Sequence, residues 1–144
     1  MSEKTYVTDI ERAPDSQIGA TLDALYATIL DRKDSTGESY TKTLLDGPLD
    51  KVLKKVSEEA LETSLAAKEC QMLEDFVGDR ELFDEAIDHL RYESADVIYH
   101  LLVLLARFGV SADELAAELN YRMRDDERPE GCILLKDEHV KRGK

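Results

Sequence analysis

The fold of the chain is decided by residues 91–109, which read RYESADVIYHLLVLLARFG. Apolar side chains recur here at helical spacing, and a helix that is apolar over most of its circumference is normally buried. Glu93, Asp96 and His100 nevertheless fall on one narrow stripe when residues are stepped by about 100°. Because a buried carboxylate needs a cation or must lose its charge, we expect a positive partner at Glu93 and Asp96. The stripe is therefore a metal site, an ion pair with Lys or Arg, or a helix edge that touches solvent.

A second helix with paired acids is predicted at residues 49–68, which read LDKVLKKVSEEALETSLAAK. Its broad apolar arc includes Leu53 and Leu61, and Glu59 and Glu62 lie one turn apart beside that arc. If the two helices pack antiparallel through their apolar faces, the two pairs of carboxylates converge. Oxygen ligands without Cys or His at zinc spacing suit a hard cation such as Mg²⁺ or Mn²⁺.

Composition limits the classes of function that are open to the chain. Its 144 residues fit one domain, and its net charge of −13 argues against nonspecific binding to nucleic acid or to an anionic membrane. The longest apolar run is too short to cross a bilayer and no signal peptide is visible, so we expect a soluble, cytoplasmic protein. Cys70 and Cys132 are the only cysteines, and we expect both to be free thiols. A phosphate substrate would have to be met by a metal ion and locally placed Lys or Arg.

The complete pattern predicts an all-α bundle of about four to five helices in one domain, residues 15–124. Residues 1–14 lack periodicity and are predicted to be a flexible arm. Residues 31–46 are polar and are predicted to be a connection. The predicted helices cover residues 15–32, 48–70, 79–108 and 111–124, with Gly109 as a C-terminal cap and a capping box at Ser111 and Glu114. Residues 125–144 form a tail whose CILL run is either an edge strand or an extended segment on the bundle.

Two stretches of the chain closely resemble the phosphoribosyl-ATP pyrophosphatase family, a group of MazG-like all-α pyrophosphohydrolases. They are RKDSTGESYTKTLLDGPLDKVLKKVSEEALETSLAAKE and RYESADVIYHLLVLLARFGVSADELAAEL. The resemblance covers about residues 22–124 and rests on EExxE, ExxD, the SYT of residues 39–41 and the YHLLVLL run. It implies a homodimer with active sites near helices of both chains, and we expect a stand-alone enzyme. Glu62 and Glu93 are 31 positions apart, which is long for the family, and the extra residues 70–88 either alter the dimer edge or cover the site.

This resemblance implies hydrolysis of 1-(5-phosphoribosyl)-ATP to 1-(5-phosphoribosyl)-AMP and pyrophosphate, the second step of histidine biosynthesis. The expected Mg²⁺ ligands are Glu59, Glu62, Glu93 and Asp96. Glu58 and Glu59 are the candidate catalytic residues, Glu58 being a second-metal ligand, a base that orients water, or a surface charge. The candidate phosphate-binding residues are Arg32, Lys33, Ser39, Thr41, Lys42 and Lys55.

Two further residues, Tyr40 and His100, are open to more than one interpretation from the sequence. Tyr40, inside the SYT stretch, is either part of the site or an anchor in the core. His100 is a core residue, a support for the metal ligands or a catalytic group, whereas His89 and His139 are predicted to lie on the surface.

Two other functions remain compatible with the sequence. One is a housecleaning nucleoside triphosphate pyrophosphohydrolase with the same bundle, and the other is a non-enzymatic helical dimer whose acids form ion pairs.

Overall fold

The computed structural model describes Tyr6 and residues 11–140, and these residues form an all-α bundle with no strand. The predicted fold class is therefore confirmed. Most of the predicted arm, residues 1–5 and 7–10, lies outside the described residues, as do residues 141–144 of the predicted tail. The helices are α1 (Gln17–Asp34), α2 (Tyr40–Asp46), α3 (Leu49–Met72), α4 (Arg80–Arg107) and α5 (Ala112–Arg122). A π-helical turn, Leu73–Val77, follows α3, and a 3₁₀ turn, Asp137–His139, lies near the C-terminal end.

The helix ends follow from local capping chemistry. Ser16 caps α1 by accepting a hydrogen bond from the Gly19 amide, and Asp79 caps α4 by accepting from two amides of its first turn. Ser111 and Glu114 form the predicted capping box of α5. Gly109 has a φ of 72°, a left-handed conformation that favours glycine after the end of a helix. These contacts satisfy backbone groups that a helix end would otherwise leave without partners.

The core lies where α1 and α2 pack against the hairpin of α3 and α4. Its buried members come from all four helices and are Tyr26, Ile29, Leu44, Leu45, Val52, Leu102, Val103 and Ala106. The Tyr26 hydroxyl also donates to the Val110 carbonyl, which ties α1 to the turn after α4. The most apolar stretch of the sequence therefore does form the centre of the bundle, as predicted.

Helix α2 was missed, because residues 31–46 were predicted to be a polar connection. Leu44 and Leu45 are buried, and Arg107 of α4 donates hydrogen bonds to both of their carbonyl oxygens, at 2.9 and 3.0 Å. A helix of seven residues is too short to be stable alone or to show a clear apolar period. Contacts with α4 therefore stabilise a helix that local sequence does not reveal.

The tail packs on α5 as an extended segment rather than as a strand. Asn120, which is buried, donates to the Ile133 carbonyl at 2.9 Å and accepts through its own carbonyl from Arg128 at 2.8 Å. Of the two predictions for CILL, the extended segment is correct for these described residues. No single helix in the described part of the chain is long and apolar enough to cross a membrane. Only α4 and α5 taken together have that length and composition, and the two helices are bent by 116° relative to each other.

Part of the apolar side of α3 is exposed in a single chain. Leu61 and Leu65 are both 60% exposed and Leu53 is 41% exposed. On α4, Ile98 and Leu101 are also partly exposed. Packing against α4 therefore covers only one side of the apolar arc of α3.

Candidate metal and phosphate site

Three carboxylates from α3 and α4 meet at one point between these helices. One oxygen each from Glu59, Glu93 and Asp96 lies within 4.8 Å of the others. Glu59 is only 4% exposed and Glu93 only 8% exposed, whereas Asp96 is half-buried. Three carboxylates that lie so close together and are so shielded from solvent need a cation to offset their charge. Carboxylate oxygens are also the ligands that a hard divalent cation prefers.

A lysine and a histidine lie beside this cluster. The Lys55 ammonium is 2.6 Å from a Glu59 oxygen and 3.5 Å from a Glu58 oxygen, all three residues being on α3. His89 donates through Nε2 to a Glu93 oxygen at 3.0 Å, and its Nδ1 lies 3.5 Å from a Glu69 oxygen. His89 is half-exposed, so its predicted surface position is correct, but its contact with Glu93 was not foreseen.

Two neighbouring acids of α3 have pKa values shifted in opposite directions. The hydrogen bond from Lys55 lowers the pKa of Glu59, although burial acts against this shift. The pKa of Glu62 is raised, first by desolvation and then by its hydrogen bond with Glu59 and the charges of Glu59 and Glu93. Within this pair, Glu59 is therefore the acid that stays ionised, and Glu62 is the acid that takes up a proton more readily.

Helix α2 approaches the cluster through two hydroxyl groups. The Tyr40 hydroxyl is 3.1 Å from Nε2 of His100, and the Thr41 hydroxyl is 2.6 Å from the hydroxyl of Tyr99. His100 is 4% exposed, and its Nδ1 lies 2.8 Å from the Asp96 carbonyl oxygen. Desolvation raises the pKa of Tyr40, with a smaller opposing effect from Lys55. Tyr40 is 53% exposed, so the alternative prediction that it anchors the core is wrong.

Comparison with known proteins identifies the group to which this arrangement belongs. The sequence profile of the phosphoribosyl-ATP pyrophosphohydrolase family matches residues 22–123, which is most of the chain. The chain belongs to this family. The resemblance that the sequence motifs indicated is therefore confirmed, and the matched segment contains the acids of α3 and α4 together with the whole of α2.

Individual relatives of the phosphoribosyl-ATP pyrophosphohydrolase family agree with the profile. A phosphoribosyl-ATP pyrophosphatase of Streptococcus thermophilus is 41% identical over 102 residues, covering 70% of this chain and 84% of that protein. A protein of the same name from Streptococcus gordonii is 39% identical over 114 residues, covering 76% and 95%. A histidine biosynthesis bifunctional protein of Deinococcus radiodurans is 41% identical over 111 residues, and this chain spans 44% of its length. No solved structure matches the chain.

The residues predicted to bind phosphate in this family member occupy different places. Lys55 contacts Glu59 of the carboxylate cluster, and the Thr41 hydroxyl contacts Tyr99 on α4. Lys33, at the end of α1, donates to the Ala106 carbonyl at 3.0 Å, and Arg32 lies exposed next to it. Lys42 pairs with Asp46 at 3.0 Å and also donates to the Lys33 carbonyl at 3.1 Å.

Ser39 caps α2 by accepting from the Lys42 amide, and both residues line an open groove of about 560 Å³. Glu38 and Asp46 also line this groove, and their negative charges disfavour a phosphate there. Contacts within the chain thus occupy Lys33 and Lys42. Of the cations predicted to bind phosphate, Lys55 is the one that lies at the carboxylate cluster.

Sequence reasoning missed Tyr99 and Arg107 as residues that fix the surroundings of the site. The guanidinium of Arg107, near the end of α4, reaches the carbonyls at the end of α2. A signal for Tyr99 was present in the sequence, since it precedes His100 on the site helix. The partner of each side chain depends on α2, which the sequence did not reveal.

Proposed function

We propose that the protein hydrolyses 1-(5-phosphoribosyl)-ATP to 1-(5-phosphoribosyl)-AMP and pyrophosphate, the second step of histidine biosynthesis. The observation that carries this proposal is the meeting of three carboxylates inside the segment that matches the phosphoribosyl-ATP pyrophosphohydrolase family. In the reaction, the oxygen of a water molecule bonds to the phosphorus of the triphosphate that lies next to ribose. The bond from that phosphorus to the bridging oxygen breaks, and pyrophosphate leaves with that oxygen.

A divalent metal ion fits the acids of α3 and α4. We assign Mg²⁺, with Mn²⁺ as the alternative, to Glu59, Glu62, Glu93 and Asp96. The structure supports Glu59, Glu93 and Asp96 by proximity and Glu62 by its hydrogen bond with Glu59. Such an ion, when bound, lowers the pKa of a water molecule and neutralises phosphate oxygens. Neutralisation matters in this protein, because a chain with a net charge of −13 otherwise repels a polyphosphate.

Glu58, Glu59 and Lys55 are the residues of α3 that we assign to the reaction itself. Glu59 is the ionised acid of the cluster, and Glu58 is next to it with part of its side chain open to solvent. We propose that Glu58 takes the proton of the attacking water. Lys55, which pairs with both acids, supplies positive charge for the phosphate oxygens, since an ammonium favours their developing negative charge.

Substrate phosphates are further assigned to the polar residues around α2. Thr41 is the best supported of these, because its hydroxyl lies beside Tyr99 on the site helix. Ser39 and Lys42 border the open groove at α2, and Lys33 and Arg32 end α1 close to them in sequence. For these four residues, phosphate contact remains a prediction, and for Ser39, Lys42 and Lys33 it requires the present contacts to exchange.

We also propose that the protein acts as a homodimer through the exposed apolar sides of α3 and α4. Four large apolar side chains are exposed on these two helices, namely Leu61, Leu65, Ile98 and Leu101. A large exposed apolar patch is normally covered by a partner. The extra residues after α3 add another exposed apolar side chain, Phe76, which is 84% exposed. A cytoplasmic location, as expected from the sequence, remains a prediction.

Product analysis over a panel of nucleotides tests the proposed function. We expect the purified protein with Mg²⁺ to convert phosphoribosyl-ATP to phosphoribosyl-AMP and pyrophosphate far faster than it converts ATP, dATP or dCTP. A Glu93→Gln variant is the matched negative control, because it keeps the side-chain shape and removes one buried charge. Equal or faster hydrolysis of ordinary nucleoside triphosphates would replace the proposal by a housecleaning pyrophosphohydrolase. No hydrolysis and no stoichiometric metal binding would leave a non-enzymatic helical dimer.

A further inference from the structure

We propose that Arg107 is a positioning residue, which holds α2 on α4 and thereby presents the polar residues of α2 to the substrate. Arg107 closes a cycle of three contacts, in each of which a cation on one helix donates to carbonyl oxygen near the C-terminal end of another helix. The kinetic part of this inference rests on the proposed function, because it requires α2 to contact substrate phosphates. The geometric part rests only on the cycle.

Arg107 supplies the donor for two carbonyl oxygens at the end of α2. Its Nη1 donates to the carbonyl oxygens of Leu44 and Leu45, at 2.9 and 3.0 Å. In a longer helix the Leu44 carbonyl would accept from the amide four residues later, but that residue is Pro48, which has no N–H. Both leucines are buried, so solvent has little access to these carbonyls. Each bond has one possible direction, since a guanidinium only donates and a carbonyl oxygen only accepts.

The other two contacts of the cycle have the same chemistry. The Lys33 ammonium, in the last turn of α1, donates to the Ala106 carbonyl near the end of α4 at 3.0 Å. The Lys42 ammonium of α2 donates to the Lys33 carbonyl near the end of α1 at 3.1 Å. A cation near a helix C-terminus is favoured by the helix dipole as well as by the hydrogen bond. Because α2 donates to α1 and accepts from α4, it cannot move away without breaking contacts with both helices.

The first residues of α2 contact α4 independently of the cycle. The Thr41 hydroxyl lies 2.6 Å from the Tyr99 hydroxyl, and the Tyr40 ring stacks on the Tyr99 ring with centroids 6.5 Å apart. Tyr99 precedes Arg107 by about two helical turns, so α2 is attached to α4 at each of its two ends. A helix of seven residues is not stable alone. Loss of the attachment at Arg107 should therefore loosen the whole of α2, including Thr41.

Hydrogen exchange of the full chain, measured by mass spectrometry, tests this attachment without substrate or metal. Arg107→Met keeps the apolar stem of the side chain and removes both hydrogen bonds. We expect amide exchange in residues 40–47 to become at least about tenfold faster, which is the effect of one net hydrogen bond, while α3 and α5 keep their wild-type exchange. Unchanged exchange in residues 40–47 would overturn the inference. An equal increase in all helices would also overturn it, because Arg107 would then stabilise the whole bundle rather than α2.

Two further variants complete the exchange experiment. Arg107→Lys keeps a positive charge and a donor on a shorter side chain, so its exchange in residues 40–47 should be intermediate. If Arg107→Met does not fold, Arg107→Lys decides by the same criterion: faster exchange confined to residues 40–47 supports the inference, and unchanged exchange contradicts it. Arg122→Met is the matched control, because Arg122 is an exposed arginine of α5 that pairs with Glu118 at 2.7 Å. It should keep the wild-type exchange and the wild-type rate.

Steady-state kinetics with phosphoribosyl-ATP test whether α2 is positioned for the substrate. The clustered carboxylates lie on α3 and α4, so Arg107→Met should leave the Mg²⁺ dissociation constant unchanged in calorimetry. KM for phosphoribosyl-ATP should rise by about tenfold or more while kcat falls less, because α2 is assigned contacts with phosphates and no metal ligand. Adding Thr41→Val to Arg107→Met should lower kcat/KM no further, since a loosened α2 no longer presents Thr41 to the substrate.

Three kinetic results would contradict the positioning role of Arg107. They are a weaker Mg²⁺ affinity in Arg107→Met, a fall in kcat at unchanged KM, and multiplied losses of kcat/KM in the double variant. The first of these would show that Arg107 supports the carboxylate cluster itself. If the wild-type protein does not hydrolyse phosphoribosyl-ATP, the proposed function fails, and the exchange profile alone decides this inference.

Discussion

Replacing Asp96 by Asn removes one negative charge from the carboxylate cluster and keeps the shape of the side chain. An oxygen of Asp96 lies within 4.8 Å of oxygens of Glu59 and Glu93. Two unit charges 4.8 Å apart repel by about 3.5 kcal/mol at an effective dielectric constant of about 20, and the Lys55 ammonium offsets part of this repulsion. Without divalent metal, we therefore expect Asp96→Asn to fold and to be at least as stable as the wild-type protein.

The rate should respond in the opposite way. Removing one preorganised electrostatic contact from a reaction site typically costs about 2.7 kcal/mol or more, which is about a hundredfold in rate. We therefore expect Asp96→Asn to lose at least about a hundredfold in kcat at saturating Mg²⁺. Pyrophosphate release measures the rate, thermal melting measures the fold, and sedimentation measures the assembly. The predicted result is a folded, assembled and nearly inactive protein.

Asp88→Asn is the matched control on the same helix. Asp88 is exposed and pairs with Arg91 at 2.6 Å, and an exposed pair of this kind contributes about 1 kcal/mol or less. The Asp88 variant should therefore keep the wild-type rate. Substantial activity of Asp96→Asn at saturating Mg²⁺ would refute the metal-ligand assignment. A loss of several kcal/mol in its metal-free stability would instead show that Asp96 belongs to a structural ion pair.

Three further predictions concern residues of α3. Lys55→Met should lower the free energy of unfolding by about 1–3 kcal/mol in chemical unfolding, because Glu59 loses its hydrogen-bonded cation, and added Mg²⁺ should restore most of the lost stability. An equal loss of stability in Lys54→Met, at an exposed lysine, would contradict this prediction. Because the pKa of Glu62 is raised in the folded protein, the stability that protonated Glu62 contributes is lost as pH rises through that pKa. The melting temperature of Glu62→Gln, measured relative to wild type, should therefore increase with pH. A difference that does not change with pH would count against this prediction. Leu61→Glu should give monomers in sedimentation, and an intact dimer would exclude this side of α3 from the interface.

The parts of the fold that sequence predicted correctly are those in which one strong local signal decides the structure. Helix α4 shows an apolar period over seven turns, and its cap Asp79 and Gly109 are visible as single residues. The acid pairs on α3 and α4 could be placed together because both occur at the spacing of one helical turn. Spacing therefore predicted that Glu59, Glu62, Glu93 and Asp96 would converge if the two helices packed antiparallel, and the structure brings Glu59, Glu93 and Asp96 together.

The parts that were missed depend on contacts between residues far apart in sequence. Helix α2 exists because Leu44 and Leu45 are buried and because Arg107 caps it from α4. The partner of Tyr40 could not be predicted without α2, although His100 itself was visible on the polar stripe. The buried and exposed parts of the apolar arc on α3 cannot be told apart by period alone, since both are apolar. Which part faces α4 is decided by packing.

The measurement that tests the central claim most directly is hydrolysis of phosphoribosyl-ATP in water enriched in oxygen-18, followed by mass analysis of both products. Attack on the phosphorus next to ribose predicts one labelled oxygen in phosphoribosyl-AMP and none in pyrophosphate at release. We also expect this reaction to require a divalent cation and to vanish in Asp96→Asn. Release of orthophosphate, or label in pyrophosphate with unlabelled phosphoribosyl-AMP, would contradict the proposed reaction.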